Sequence, residues 1–139
     1  DYTFSYDGAY TIELPEDYAS NIEDVFGMSF SEFNDALDAG EIQFALADPA
    51  TQKWINKGTP ATTYYTNLAG QVTQADADDF AISAAYEMNS NGVESLIFKY
   101  NNTLAEGTTG QICVGFVDKN DEGKAMKFMI SYYIGALGK

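Results

Sequence analysis

Histidine and arginine are both absent from this 139-residue chain, cysteine and tryptophan occur once each, and proline three times. Each scarcity removes a class of chemistry. Without histidine there is no Ser-His-Asp or Cys-His pair, and the commonest protein ligand of zinc and non-haem iron is missing. A single cysteine, Cys113, forbids an intramolecular disulfide. It lies in Gln111-Ile112-Cys113-Val114-Gly115-Phe116-Val117, apolar to both sides, and reads as a small buried hydrophobe rather than a nucleophile. Seven lysines against 21 acids leave a net charge of −14, a surface that repels phosphate backbones, so nucleic acid is not an expected partner. No basic residue precedes Lys53, whereas twelve acids do, and that half is expected to be a solvated acidic surface or to face cations. The apolar runs are far too short to span a bilayer, so no transmembrane segment is expected.

What is present is enough for one core. Hydrophobic residues make up 45% of the chain and aromatics 14%. At this length one domain covering residues 1–139 is expected, able to bury roughly two-thirds of its surface without disulfide, metal or other cofactor. The start at Asp1 rather than Met reads as a processed or excised segment. Scarce Lys, no Arg or His and abundant Tyr, Asn, Thr and Gly are like the composition of secreted modules.

Alternation sets the elements. Residues 2–6, then Asp7-Gly8, then 9–14 predict an N-terminal β-hairpin or a bent single strand, ended by Pro15. Ser20-Asn21-Ile22-Glu23 fits a capping box and predicts a short helix ending at Gly27. The same box recurs at Ser29-Phe30-Ser31-Glu32, followed by Phe30, Phe33 and Leu37 on one helical face and Gly40 as terminator. Ile42, Phe44 and Leu46 predict a half-buried strand, turned by Asp48-Pro49. Residues 48–77 are loop-rich apart from a β-branched and aromatic run at 62–66. Phe80, Ile82, Ala84 and Tyr86, then a turn at 89–92, then Leu96, Phe98 and Tyr100 predict a hairpin. Residues 111–117 predict a central strand, and Met126, Phe128, Ile130, Tyr132 and Ile134 close a second hairpin. The sum is an α+β fold, a mainly antiparallel β-sandwich, jelly-roll-like, with two short N-terminal helices across one edge or end.

Several candidate sites stand beside plainer readings. Asp118-Lys119-Asn120-Asp121-Glu122-Gly123 mimics the start of an EF-hand loop, but its twelfth position is Met129 in place of a bidentate Glu, so a hairpin turn is expected. Asp76, Asp78 and Asp79 are the weak metal candidates, a carboxylate cluster suited to calcium, against a solvated loop entering the next strand. Paired carboxylates also serve glycoside hydrolysis, but 21 acids bring some pair to the needed separation by chance, so no catalytic residue is assigned. The segment from Trp54 to Asn67 carries large flat side chains among amides and hydroxyls. A pyranose ring offers a C–H face to an aromatic ring and hydroxyl edges to polar groups, which makes Trp54, Asn56, Tyr64, Tyr65 and Asn67 the expected ligand-binding set, with a polysaccharide or oligosaccharide as partner. The competing reading has Trp54 plugging the end of the sandwich.

The strand at 10–14, the capped helix, Phe26-Gly27-Met28-Ser29-Phe30-Ser31-Glu32-Phe33, Ala39-Gly40-Glu41-Ile42-Gln43-Phe44, Asp79-Phe80-Ala81-Ile82 and the final strand at 127–133 follow one another in an order that resembles a family of uncharacterised domains in secreted and surface lipoproteins of Bacteroidetes associated with polysaccharide utilisation. The resemblance spans residues 10–134 and carries no catalytic residues. It differs in the middle loop, where the family pattern is rich in glycine and tryptophan and this chain has Trp54 alone. It implies a non-catalytic, extracellular glycan-binding or glycan-associated module. The alternatives are a structural spacer or adhesion domain of a surface lipoprotein and, more remotely, a carboxylate-based glycosidase.

Overall fold

The computed structural model describes residues 2–4, 9–55, 63–74, 80–101 and 103–135. Strands β1 (Tyr2–Phe4) and β2 (Ala9–Glu13) precede helices α1 (Leu14–Asp17), α2 (Ala19–Phe26) and α3 (Phe30–Asp38). Then come β3 (Ile42–Ala47), β4 (Thr63–Thr66), β5 (Val72–Thr73), β6 (Ile82–Met88), β7 (Glu94–Tyr100), β8 (Thr109–Asp118) and β9 (Asp121–Ile134). The strands form a four-stranded sheet ordered β1-β9-β8-β3 and a five-stranded sheet ordered β2-β7-β6-β4-β5. Among the described residues, every pairing is antiparallel except that of β1 with β9. The sandwich expected from alternation is therefore present, with its helices between β2 and β3.

The N-terminal strands do not pair with each other. β1 joins β9 in one sheet and β2 joins β7 in the other, so the chain crosses between sheets, as the bent-strand reading has it; the Asp7-Gly8 turn lies outside the described residues. Alternation identifies a strand but not its partner, and here long-range pairing decides.

Ser29 caps α3 as expected. Its hydroxyl accepts from the Glu32 amide at 3.2 Å, while its own amide donates to Glu32 Oε1 at 2.9 Å. These bonds hold the Glu32 carboxyl below its usual range. Ser20, by contrast, caps nothing: α2 begins at Ala19 behind Tyr18, with no side-chain cap. Pro15, compatible with a helix's first turn, starts α1 immediately after β2, and the chain is already helical before Ser20 arrives. Gly27 then ends α2 at φ 69°, a left-handed conformation that glycine adopts without steric cost.

The helices pack against both sheets. α2 packs on β9 and α3 on β3, while the Tyr86 hydroxyl of β6 donates to Asn34 Oδ1 at 3.1 Å, so α3 touches both sheets. Phe33 of α3 meets Phe116 edge-on at 5.1 Å, and Tyr18 meets Phe128 at 5.0 Å. The inward-facing Phe44, Leu46, Ile82, Leu96, Phe98, Ile112 and Val114 complete this core between the sheets. Tight polar turns join the strands. Asn89 Oδ1 accepts from the amides of Asn91 and Val93 in the β6–β7 hairpin. In the β8–β9 hairpin, Asp118 and Asp121 accept from the Asn120 and Gly123 amides, so the EF-hand-like acids serve their own backbone.

Candidate functional site

Trp54 is placed by a turn that Asp48 builds. Asp48 Oδ1 accepts from the Ala50 amide at 2.7 Å and the Thr51 amide at 3.3 Å, and the chain doubles back so that the Ile55 amide reaches Leu46 O at 2.8 Å. Trp54 thus forms an antiparallel bridge with Ala47. Residues directly opposite in such a bridge share a face. Ala47 alternates with the inward-facing Leu46, which puts Trp54 on the outer face of the four-stranded sheet, where the register runs Trp54, Ala47, Cys113, Met129. In the adjacent row, Ala45, Gly115 and Lys127 stand side by side. The residues between Trp54 and Lys127 are small, so their side chains meet across them: Lys127 Nζ lies 5.0 Å from the indole centroid and donates to Gln52 O at 2.5 Å. Trp54 is consequently half-buried, a cover over a sheet face.

Cys113 is fully buried in this outer layer. Burial pushes its thiol pKa up; Asp48 adds to the rise and Lys127 opposes it. The native protein should therefore resist thiol reagents over hours and react promptly in denaturant. Rapid modification of the folded chain would contradict the placement of β8 at the centre of its sheet.

Tyr64 and Tyr65 are adjacent on β4 and face opposite ways. Tyr64 points into the core at 3% exposure, its ring 5.3 Å from Phe44 and its hydroxyl donating to Phe44 O at 2.8 Å. It presents no ring face to a ligand. Tyr65 lies on the outer face of the five-stranded sheet, edge-on to Phe80 at 5.2 Å. Asn67 holds the β4–β5 turn, its Oδ1 accepting from the Ala69 and Gln71 amides and its Nδ2 donating to Gln71 Oε1. Asn56, Asp76, Asp78 and Asp79 lie outside the described residues. The expected aromatic set is thus divided: Trp54 on one outer face, Tyr65 on the other, Tyr64 between.

Burial also governs the tyrosines' titration. It pushes Tyr64 and Tyr132 up to about 12, and raises Tyr86 as well, with Glu94 and Asp38 adding to the latter. Unfolded tyrosine ionises near ~10. The native state holds these protons longer, so their contribution to stability is complete below pH ~10 and is lost as pH rises through about 12. An alkaline titration should show tyrosinate absorbance in two stages, the second coinciding with loss of the β circular-dichroism signal. A single stage with the fold intact would contradict the burial of these hydroxyls.

The structure gathers a different set around Tyr65. On the outer face of the five-stranded sheet, Lys99, Ser83 and Tyr65 form one register row and Ile97, Ala85 and Thr63 the next. Ala85, Ser83 and Ile97 are nearly buried and form the floor of a groove of about 210 Å³, with Tyr65, Thr63, Glu87 and Lys99 also lining it. An aromatic ring, a threonine hydroxyl, a carboxylate and an ammonium thus line the groove around its floor. The signal was faint in sequence: Ser83, Ala85 and Glu87 are the outward half of an alternating strand, and only pairing with β4 and β7 completes the set.

Among the described residues, no group of three or more Cys, Asp or Glu is arranged to hold a metal ion, and no helix is long and apolar enough to cross a membrane. Comparison of the chain with protein-family models, with curated proteins and with solved structures finds no match.

Proposed function

We propose that this protein is a non-catalytic, extracytoplasmic glycan-binding module whose site is the groove on the outer face of the five-stranded sheet. The observation that carries the reading is the convergence of Tyr65, Thr63, Glu87 and Lys99 over the floor of Ser83, Ala85 and Ile97. Sugars ask for an aromatic ring against the C–H face of a pyranose and for donors and acceptors around its hydroxyl edge. Tyr65 is the ring; Thr63 and Glu87 accept, and Thr63 and Lys99 donate. The net charge of −14 disfavours phosphate-rich ligands and favours neutral ones. The resemblance to polysaccharide-associated surface lipoprotein domains of Bacteroidetes agrees with this chemistry and with a cell-surface or periplasmic location.

The second reading is a structural spacer or adhesion domain. It is favoured by Tyr64 in the core and Trp54 beneath Lys127, which commit two of the expected aromatic residues to structural work. Calorimetric titration with a panel of neutral plant and host polysaccharides separates the two. Glycan binding predicts that at least one polysaccharide binds and that Tyr65→Ala weakens it by about tenfold, equivalent to ~1.4 kcal/mol, while Trp54→Ala leaves the affinity unchanged. No binding across the panel favours the spacer.

A further inference from the structure

β9 is 14 residues long, and its two edges are used very differently. On one side β8 accompanies it from Asp121 to Tyr133; on the other, among the described residues, β1 pairs with Tyr132, Tyr133 and Ile134. Ile134 donates to Thr108 O at 2.9 Å and accepts from the Gly107 amide at 2.8 Å, so its backbone groups point to the β8 side. Alternation along the strand then turns the N–H and C=O groups of Ala125, Lys127 and Met129 to the opposite side. Among the described residues, no backbone or side-chain group bonds to them there. Beside this edge lies a groove of about 420 Å³, lined by Tyr10 and Ile12 of β2, by Tyr18, Asn21 and Val25 at α2, and by residues 125–130 of β9 itself.

We propose that this edge is a strand-addition site, taking an extended segment of another polypeptide into line with β1. The unpaired groups recur at every second residue, a spacing that an added β-strand matches and a globular ligand does not. The added strand fills the column that β1 occupies farther along β9. Its inward side chains enter the aromatic and aliphatic groove, which calls for large apolar residues at alternate positions. Its remaining residues are polar and neutral or basic, because the exposed Glu23 and Asp24 lie on the bordering helix and the whole chain is strongly acidic. This surface is distinct from the proposed glycan groove, which lies on the other sheet.

Amide hydrogen exchange followed by NMR tests the proposal. In the dilute free protein, the amides of Lys127 and Met129 should exchange about tenfold or more faster than those of Phe128 and Ile130, which pair with β8. The probe is an eight-residue peptide of alternating leucine and threonine between terminal lysines; when bound, it should slow the edge amides by about tenfold or more. Of the two forms of this peptide N-methylated at alternate residues, the one whose methyl groups face β9 should give no such protection, and the one whose methyl groups face away should keep it. The proposal is overturned if the edge amides are already slow in the dilute protein, if concentrating the protein alone protects them, which makes a second copy the occupant, if the two N-methylated forms do not differ, or if millimolar parent peptide protects nothing.

Discussion

Phe116→Ala is expected to cost about 4 kcal/mol of folding stability, within the ~3–5 kcal/mol range of buried aromatic truncations. Phe116 is fully buried and its ring lies 5.1 Å from Phe33, 5.6 Å from Phe44, 5.3 Å from Tyr86 and 6.4 Å from Phe128. Those neighbours belong to α3, β3, β6 and β9, so one side chain joins the helices to both sheets. Each neighbour is held by its own element, so collapse into the vacated space is restricted and the full cavity penalty of that range applies. Phe30, half-buried with its ring 5.9 Å from Phe33, supplies the control: Phe30→Ala should cost about 1 kcal/mol. Urea unfolding measures both. A loss below ~1.5 kcal/mol for Phe116→Ala would show that the aromatic cluster is not the centre of the core.

Gly115→Ala, one residue away on the opposite face, should cost about 3 kcal/mol for the opposite reason, the upper end of what overpacking usually imposes. A Cβ at Gly115 would run into the Met126 carbonyl oxygen and lie 3.0 Å from Lys127 Cα, both backbone atoms of the paired strand. No rotamer relieves that clash; β8 and β9 must separate. At Gly123, an added Cβ meets only the side-chain oxygen of Asp121 at 3.1 Å, which can swing aside, so Gly123→Ala should be nearly neutral, within ~0.5 kcal/mol. Equal effects at the two glycines would contradict the close approach of β8 to β9.

Most of the sandwich was legible because its signals are local. The Ser29–Glu32 capping box closes within one turn, and the β6–β7 and β8–β9 hairpins join consecutive alternating segments across short polar turns. Where a second local signal intervened, the first one misled: Ser20 resembles a cap, but Pro15 had already begun the helical path. The aromatic segment was harder for a different reason. Composition marks 54–67 as rich in sugar-compatible groups, yet the alternation of β4 sends Tyr64 and Tyr65 to opposite faces. The cover that Trp54 forms depends on small residues of β3 and β8, and the Tyr65 groove on residues from three strands. Neither assembly exists in any single stretch of sequence.

The glycan reading rests on one face of one sheet, and amide NMR of the isotope-labelled protein under titration with neutral oligosaccharides tests it most directly. The account predicts chemical-shift changes concentrated at 63–65, 83–87 and 97–99, all on the strands that line the Tyr65 groove, and their disappearance in Tyr65→Ala. Shifts confined to Trp54 and its neighbours on the four-stranded sheet, or no shifts with any oligosaccharide, would contradict it.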